Sequence, residues 1–467
     1  MVSTSVKMAI GMVITLIIGL VAGYGGTLLT VSPATTTITK TVVAGTVTHT
    51  VTQVTTVTTT VTASIPPVTA PDFIKIGLMA PLTGPWSFIG AHLEKGAMLA
   101  VEEINNKGGV YVAQYGKKIP LKLISADDKA SIDEGTAVIK RLIFSDKVDV
   151  IIGIYDTPEA MAVVPIAVEA GVPIIFDGGG SMRGIVKDYS YAFHYEIHTH
   201  DWTGAELRFL VEVVKPLVAP DRNLKIAILC EDSPFGEIAT EGYTWNKETK
   251  NLPIEFVTIV KYKWGETSFQ TLMTRIKAAK PDAVIVAATP EQAAHAIEQG
   301  IRDVGLKTVY IGLPCLEEPH FYELIGEFGD YIVYDSRFTP HIPYKPVAAD
   351  FVKKYKEKWG ELPSFMAPLT YDMVKIAAYA IESAGTLDKK VIRDALEKLN
   401  IPADDFLAPM YNNRVAWDDY HEAHMSSFVI QLRWDKATNT LKPFVVWGPP
   451  EVAKTANYQL PPYYEKG

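Results

Sequence analysis

The chain has 467 residues, of which 48% are hydrophobic, and it carries a formal net charge of −9. A chain of this length can bury more than one hydrophobic core, so two lobes are the natural expectation. The first 71 residues hold two lysines and no acidic residue, which leaves 42 basic and 53 acidic side chains in the remainder. The part of the chain after residue 71, called the body below, is acidic and therefore repels polyanions. We expect no nucleic-acid partner.

Residues 8–31 form an uncharged stretch of 24 residues that follows Lys7. At about 1.5 Å per residue, a helix of this length crosses a hydrocarbon layer of about 30 Å. The basic flank predicts that the N-terminus lies inside the cell and the body outside. Small residues at 22–26 also fit a signal cleavage site. Residues 1–31 are therefore predicted to anchor the body to the extracellular face of the membrane, or to be a signal sequence whose cleavage secretes it.

Residues 32–71 are predicted to be a stalk. Within them, 22 of the 28 residues at 35–62 are Thr or Val, so few large side chains are available to build a core. β-Branched residues keep the backbone extended, and fully drawn out the stalk would reach at most about 130 Å. Its hydroxyl groups suit O-linked sugars, and an unmodified linker is the alternative.

The body opens with a strand, a loop and a helix in succession. Apolar residues alternate over 74–80, Gly84 and Pro85 break the pattern, and apolar residues then recur at helical spacing up to Gly108. A loop at the carboxyl end of such a strand is where open α/β sheets bind small ligands. This loop carries Trp86 and Phe88.

Strand and helix patterns then alternate along the body. Apolar runs predict strands at 121–125, 148–153, 174–176, 226–230, 254–260, 283–287, 309–312 and 332–334. Helical patterns occupy 133–144, 157–170, 236–249, 268–277, 291–304, 346–359, 367–384 and 389–399. Strands alternating with helices of this length predict an α/β fold of doubly wound parallel sheets.

Five segments are distinctive in their order and spacing: IKIGLMAPLTGPWSFIGAHLEKGAMLAVEEINNKGGV, SADDKAS, VDVIIGIYDTPEAMAVVPIAVEAGVPIIF, KIAILCEDSPFGE and DAVIVAATPEQAAHAIEQGIRDVGLKTVYIG. In this order they resemble the type I periplasmic binding proteins, and within them the branched-chain amino-acid (Leu/Ile/Val) receptors of ABC transporters. The resemblance runs from about residue 74 to about residue 434.

The resemblance implies two doubly wound lobes that are joined by a three-segment hinge and hold the ligand between them. It places lobe 1 at residues 72–197 and 335–422, and lobe 2 at residues 198–334 and 423–447. Residues 448–467 are left as a C-terminal tail.

Two elements match the family's ligand contacts. Thr157 matches a hydroxyl that binds the ligand carboxylate, and its place after a strand is that of a helix N-cap. The loop at 178–181, with Gly179, Gly180 and Ser181, matches the segment that grips the ligand head group. Glycines let backbone N–H groups approach an anion closely. An ordinary capped helix and an ordinary glycine turn, without a ligand, would have the same sequence pattern.

Further candidates lie in strand-end loops or near the first crossing, and each is equally open to a packing role. These candidates are Trp86, Phe88, Tyr155, Asp156, Tyr195, Phe235 and Thr289.

The chain departs from the family where an acidic residue should bind the ligand ammonium group. That position falls at about Pro314, and Glu317 and Glu318 come three and four residues later. An unpaired buried ammonium group is costly, so Asp156 or Glu317 would have to replace the missing acid. The ligand therefore stays open among amino acids, amides, urea and simple organic acids.

Metal and catalytic sites find little support. A zinc-like ligand set lies within eight residues: His194, Glu196, His198, His200 and Asp201. On an extended strand the first four would form a row about 7 Å apart, which does not close a tetrahedron. The sequence has no GxSxG elbow, no Walker loop, no HExxH helix and no Cys/His catalytic motif. We expect no metal, no cofactor and no enzymatic activity, and we expect Cys230 and Cys315 to be buried small hydrophobes or a single disulfide.

The sequence thus predicts an extracytoplasmic solute receptor that closes on its ligand by hinge motion. Its expected partners are a small solute and the permease and ATPase subunits of an ABC importer, and we expect a monomer. A surface display or sensory protein with the same fold and no transport role is the alternative.

Overall fold

The computed structural model describes residues 34–44, 47–57, 69–185, 187–342, 344–448 and 457–465. The predicted membrane span at 8–31 lies outside these residues. Within the described part of the chain, no helix is both long and apolar enough to span a bilayer.

The chain divides into two compact units, Met1–Ala70 and Pro71–Gly467. In the first unit, strands β1 (Ala34–Ala44) and β2 (Val47–Val57) pair antiparallel along their whole length. The expected extended backbone is present, in two strands that pair with each other; the stalk itself stays a prediction. Pairing satisfies the backbone N–H and C=O groups that a lone strand of threonine and valine would leave to water.

The second unit begins with the elements of a first sheet. These are β3 (Ile74–Ala80), α1 (Ser87–Asn106), β4 (Val110–Val112), β5 (Lys117–Ile119), β6 (Leu121–Asp127), α2 (Ile132–Lys140), β7 (Val150–Gly153), α3 (Thr157–Glu169), β8 (Ile174–Phe176), α4 (Met182–Ile185) and β9 (Ala192–His194).

The remaining elements of the unit follow, among them the strands of a second sheet. These elements are α5 (Thr199–Phe209), α6 (Lys215–Val218), β10 (Leu224–Glu231), α7 (Pro234–Thr249), β11 (Ile254–Tyr262), α8 (Gln270–Ala278), β12 (Ala283–Ala287), α9 (Pro290–Arg302), β13 (Val309–Gly312), α10 (Pro319–Ile325), β14 (Val333–Ser336), α11 (Pro346–Trp359), α12 (Ala367–Ala384), α13 (Lys389–Glu397), β15 (Asn400–Pro402), β16 (Arg414–Ala416), β17 (Phe428–Asp435) and β18 (Thr440–Trp447).

The two large sheets share one strand order. The first runs β6-β3-β7-β8-β9 and the second begins β11-β10-β12-β13-β14, with all of these neighbours parallel. Each places its first strand between the second and third, which is the flavodoxin-like order. This confirms the predicted α/β fold with parallel sheets. β17 and β18 extend the second sheet antiparallel, which the predicted alternation of strands and helices did not include.

Burial follows the apolar runs of the sequence. The central strands β7, β8, β12 and β13 are buried at every residue, as expected for parallel strands covered by helices on both faces. Cys230 and Cys315 are buried and unbridged, which confirms the simpler of the two predictions for them.

Helices α1 and α12 approach closely at Gly96. A Cβ atom on Gly96 would lie 2.0 Å from the carbonyl oxygen of Ala367, so the contact leaves no room for a side chain. The hydroxyl of Thr370, on α12, donates to the carbonyl oxygen of Leu93 at 2.6 Å.

We expect Gly96→Val to lower the free energy of unfolding by about 1–3 kcal/mol, because the two backbones would have to separate. Met98→Ala is the matched control on the same helix: Met98 is 40% exposed, and its replacement should cost at most about 0.5 kcal/mol. Urea denaturation followed by circular dichroism measures both, and equal stability of the two variants would contradict the close contact.

Candidate ligand-binding site between the two sheets

A cavity of about 150 Å³ lies where loops from both sheets meet. The first sheet contributes the loops after β3, β7 and β8, and the second contributes those after β10, β12 and β13. In each sheet two of these loops flank the point where the strand order reverses, which is where open α/β sheets bind ligands. The cavity is therefore placed by the topology of both sheets.

Most of the residues predicted from the sequence reach this cavity. Its walls include Trp86, Tyr155, Asp156, Thr157, Gly179, Gly180, Phe235 and Thr289. Phe88, Ser181, Tyr195 and Glu317 are not among the lining residues.

Thr157 lies in the cavity wall and is 4% exposed. It is the first residue of α3, and the N-cap is Asp156, so the predicted N-cap position is wrong by one residue. Its side chain nevertheless stands at the N-terminus of a 13-residue helix, where backbone N–H groups and the helix dipole favour an anion or a hydroxyl.

The backbone just before Thr157 is unusual. Gly153 has φ +99°, and a Cβ there would lie 2.3 Å from the carbonyl oxygen of Met79. Ile154, which is fully buried, has φ +75°, a conformation that β-branched residues rarely adopt. Its N–H donates to the carbonyl of Met79 at 2.9 Å, which holds the chain in this turn.

The glycine loop presents its backbone to the cavity through Gly179 and Gly180. Gly179 has φ +85°, and a Cβ there would lie 2.3 Å from a side-chain carbon of Ile185. The carbonyl of Gly180 accepts a hydrogen bond from the N–H of Thr199 at 2.6 Å, which fixes the loop to the start of α5. Ser181 faces a separate neighbouring groove.

The other three predicted residues contact protein groups outside the cavity wall. The hydroxyl of Tyr195 donates to Asp372 at 3.0 Å. Glu317 accepts hydrogen bonds from Tyr334 at 2.5 Å and from Thr339 at 2.8 Å, and its burial raises its pKa to about 8. The structure therefore gives Glu317 partners within the protein, whereas Asp156 lies in the cavity wall.

Aromatic contacts join the two sides of the cavity. Trp86 packs edge-on against Tyr155, with ring centroids 5.5 Å apart, and also against Trp264 at 6.1 Å. Trp264 follows β11 of the second sheet. Phe88, on α1, lies 5.8 Å from the ring of His320 on α10.

Besides Asp156, the described part of the cavity wall holds four charged residues that were not predicted as ligand contacts. They are Asp177, Glu196, Glu231 and Arg337. Arg337 Nη2 lies 2.6 Å from Glu196 Oε2, and the guanidinium group lies 4.9 Å from the ring centre of Phe365. Burial raises the pKa of Glu196 to about 7, although Arg337 opposes the shift.

Burial also raises the pKa values of the remaining acids. The pKa of Asp156 rises to about 6, with a further contribution from the nearby Glu231, against opposing backbone N–H groups. The pKa of Asp177 is raised by burial and by Glu196. Asp156, Asp177 and Glu231 lie at or shortly after the ends of β7, β8 and β10. This position at the end of a strand was the signal in the sequence that could have identified them as cavity residues.

The proposed metal constellation does not assemble. His194 is the last residue of β9, whereas His200 and Asp201 belong to helix α5, so these side chains do not form a row on one extended strand. Across the described ranges, no three or more histidine, cysteine, aspartate or glutamate residues are grouped so that they could hold a metal ion.

His198 and His424 instead form ion pairs in the groove that contains Ser181. His198 Nε2 lies 2.9 Å from Glu422, and His424 lies 2.8 Å from Asp201 and 3.4 Å from Asp418.

A family model described as periplasmic binding protein matches residues 74–438. The chain belongs to this family. The Leu/Ile/Val-binding protein homolog 7 of Brucella suis biovar 1 is 26% identical over 340 residues, which cover 71% of this chain and 82% of that protein. This relationship confirms the resemblance to the branched-chain amino-acid receptors.

Solved structures share the fold of this family member. The branched-chain amino acid transporter substrate-binding protein LivJ of Streptococcus pneumoniae, in complex with isoleucine, has a TM-score of 0.66 and 23% identity, over 81% of this chain and 100% of that chain. A solute-binding protein of an ABC transporter from R. palustris, in complex with benzoate, has a TM-score of 0.65 and 18% identity, over 80% and 96% of the two chains.

The pairs around His424 predict a pH dependence of stability. Hydrogen bonds that His424 donates to Asp201 and Asp418 raise its pKa from 6.5 to about 10. This stabilisation is complete below about pH 6.5 and is lost as the pH rises through about 10. We expect the melting temperature of His424→Gln to fall less than that of the wild type across this window.

Asp201→Asn removes the first partner of His424 and should move the decline to lower pH. Thermal melts across the window measure all three proteins. The same pH slope in all of them would show that these pairs add nothing to stability.

Proposed function

We propose that this chain is an extracytoplasmic solute-binding receptor of an ABC importer, and that it binds a small polar solute in the cavity between the two sheets. The observation that carries the proposal is that one cavity takes its walls from the reversal-point loops of both sheets. Such a site needs loops from two distinct sheets, as expected of a receptor that closes on its ligand.

The relatives support the proposal and indicate its range of solutes. One structure with this fold holds isoleucine and another holds benzoate. Both are solute-binding proteins of transporters. We infer a solute of similar size, among amino acids, amides and related organic acids, and a role that involves no enzymatic step.

Hinge closure is the proposed mechanism. Lobe 1 would comprise residues 72–197 and 335–422, and lobe 2 residues 198–334 and 423–447, so that three crossing segments connect them. A solute held first by one lobe gains contacts from the other on closure, and this difference in affinity shifts the population toward the closed form. The contact of Trp86 with Trp264 would form as the lobes close.

We further propose that the receptor works as a monomer at the outer face of the membrane, delivering solute to a permease with its ATPase subunits. Residues 1–31 would anchor it there, or would be removed as a signal sequence. The charge pattern around residues 8–31 supports the outward orientation.

A thermal-shift screen over amino acids, amides and organic acids tests the function. A ligand that binds only the native state stabilises it by about 2.7 kcal/mol at 100 times its dissociation constant, which is a measurable rise in melting temperature. Thr157→Ala should then weaken binding of the solute found about 10- to 100-fold in calorimetry, because a hydrogen bond to a charged group is lost.

Ser181→Ala is the matched control, since this hydroxyl faces the neighbouring groove. Its affinity should equal that of the wild type. If Ser181→Ala weakens binding and Thr157→Ala does not, the solute lies outside the proposed cavity.

Trp264→Ala tests closure. Loss of the edge-on contact with Trp86 should increase the rate of solute dissociation about three- to tenfold, while association changes little. Trp245→Ala is the control, because Trp245 stacks on His200 in the other groove. Stopped-flow tryptophan fluorescence measures both rates, and identical dissociation from the two variants would argue against a closing role for Trp264.

A further inference from the structure

The cavity has an excess of acidic side chains. Four carboxyl groups line it, from Asp156, Asp177, Glu196 and Glu231, and within the described residues Arg337 is the sole basic side chain in its walls. Glu196 already pairs with Arg337 at 2.6 Å and also accepts the N–H of Ile197 at 2.8 Å. The charge of Arg337 is therefore largely neutralised before any solute arrives, and three acids remain.

Asp177 stands out among these acids. It directly follows β8, it is 4% exposed, and it lines the cavity. Neither of its carboxylate oxygens has a hydrogen-bond partner among the described residues. Burying a carboxyl group without partners is costly, and such a group in a ligand cavity is explained when the ligand supplies the missing donor.

The positive end of the helix dipole, at the N-terminus of α3, does not offset the excess of carboxyl groups in the cavity wall. Asp156 is the N-cap residue of that helix, and Glu231 adds to burial in raising the pKa of its carboxyl. A carboxylate on the solute would meet these acids at the place where the helix dipole would otherwise attract it.

The remaining walls suit a cation with an apolar body. Aromatic rings of Trp86, Tyr155, Trp202 and Phe235 line the cavity. The faces of aromatic rings attract ammonium and guanidinium groups, most strongly where water is excluded.

We propose that the cavity selects a small organic cation of net positive charge, a protonated amine or guanidinium compound, with Asp177 as its counter-charge. This rests on the proposed receptor function and narrows its solute. The solute needs no carboxylate, in contrast to the isoleucine and benzoate of the structures with the same fold.

Matched probes separate the charge from the shape of the solute. Isoamylamine is leucine without its carboxylate, and 4-methylpentanoate is leucine without its amine; benzylamine and benzoate form a second pair. We expect the two amines to bind at least about tenfold more tightly than L-leucine, and the two acids not to bind, in calorimetry at neutral pH.

Tighter binding of L-leucine or benzoate than of the amines would overturn this inference and leave the receptor function standing. Failure of both amines to bind at millimolar concentration would also overturn it. The absence of any binding solute in the wider thermal-shift screen would instead count against the receptor function itself.

Asp177→Asn tests the counter-charge. Binding of the amines should weaken at least about 30-fold, whereas the melting temperature of the ligand-free protein should stay unchanged or rise, because a buried carboxyl without partners has been removed. A structural role for Asp177 would give the opposite change in melting temperature.

Glu159→Gln is the control for Asp177→Asn. Glu159 is also buried with an unpartnered oxygen, it lies outside the cavity wall, and burial raises its pKa to about 9, so it is already neutral at pH 7. Its replacement should leave amine affinity unchanged. Equal loss of affinity in both variants would remove Asp177 as the counter-charge.

Proton release gives an independent readout. Asp177 faces Glu196, Arg337 and Asp128, and the acids among them join burial in raising its pKa. A bound cation favours the carboxylate, so binding should release up to about one proton and tighten as the pH rises. Calorimetry in buffers of different ionisation enthalpy measures this release, which should vanish in Asp177→Asn; release that persists there would contradict the assignment.

Discussion

The parallel pairing of strands is the constraint on which the rest of the structure depends. A parallel strand can be followed by another only if the chain returns along the outside of the sheet, so all carboxyl ends lie on one edge. Here β3 lies between β6 and β7, and β10 lies between β11 and β12. Each reversal opens a crevice between neighbouring loops, and the cavity forms where the two crevices meet. Its location therefore does not depend on any single side chain.

Ion pairs hold the segments that connect the two sheets. Glu196, just after β9, is paired with Arg337, just after β14. His198 is paired with Glu422, which lies close to the third connection. Breaking the buried pair of Glu196 and Arg337 costs about 3–5 kcal/mol, because it leaves the remaining charge without a partner.

The sequence predicted the regular part of this arrangement and missed the part that depends on distant contacts. Helix α5 has a mixed sequence, THDWTGAELRF, with no clear apolar stripe. Some of its buried polar residues find partners far along the chain: Oε2 of Glu206, for example, accepts a hydrogen bond from the hydroxyl of Tyr243 at 2.6 Å. Such pairing cannot be read from local periodicity.

Dependence on contacts between distant residues also separates the correct from the incorrect predictions of cavity residues. Trp86, Tyr155 and Thr157 follow strands that apolar runs in the sequence predicted. The carboxyl ends of parallel strands lie on one edge of the sheet, so residues that follow these strands lie near one another. Arg337 also follows a predicted strand, but its place in the cavity depends on Glu196, which lies 141 positions away along the chain. Ser181 differs from Gly180 by one position in a tight loop, and one residue is enough to point a side chain into a different groove.

The positive φ of Ile154 has a consequence for how tightly a solute can be held. A branched residue in this conformation costs on the order of 1–3 kcal/mol, which the surrounding fold must supply in advance. Because the folding of the protein supplies this conformational free energy, the turn that leads to Tyr155 and Thr157 is already formed when a solute arrives. The solute then loses little binding energy to ordering this stretch, which raises the affinity of the site.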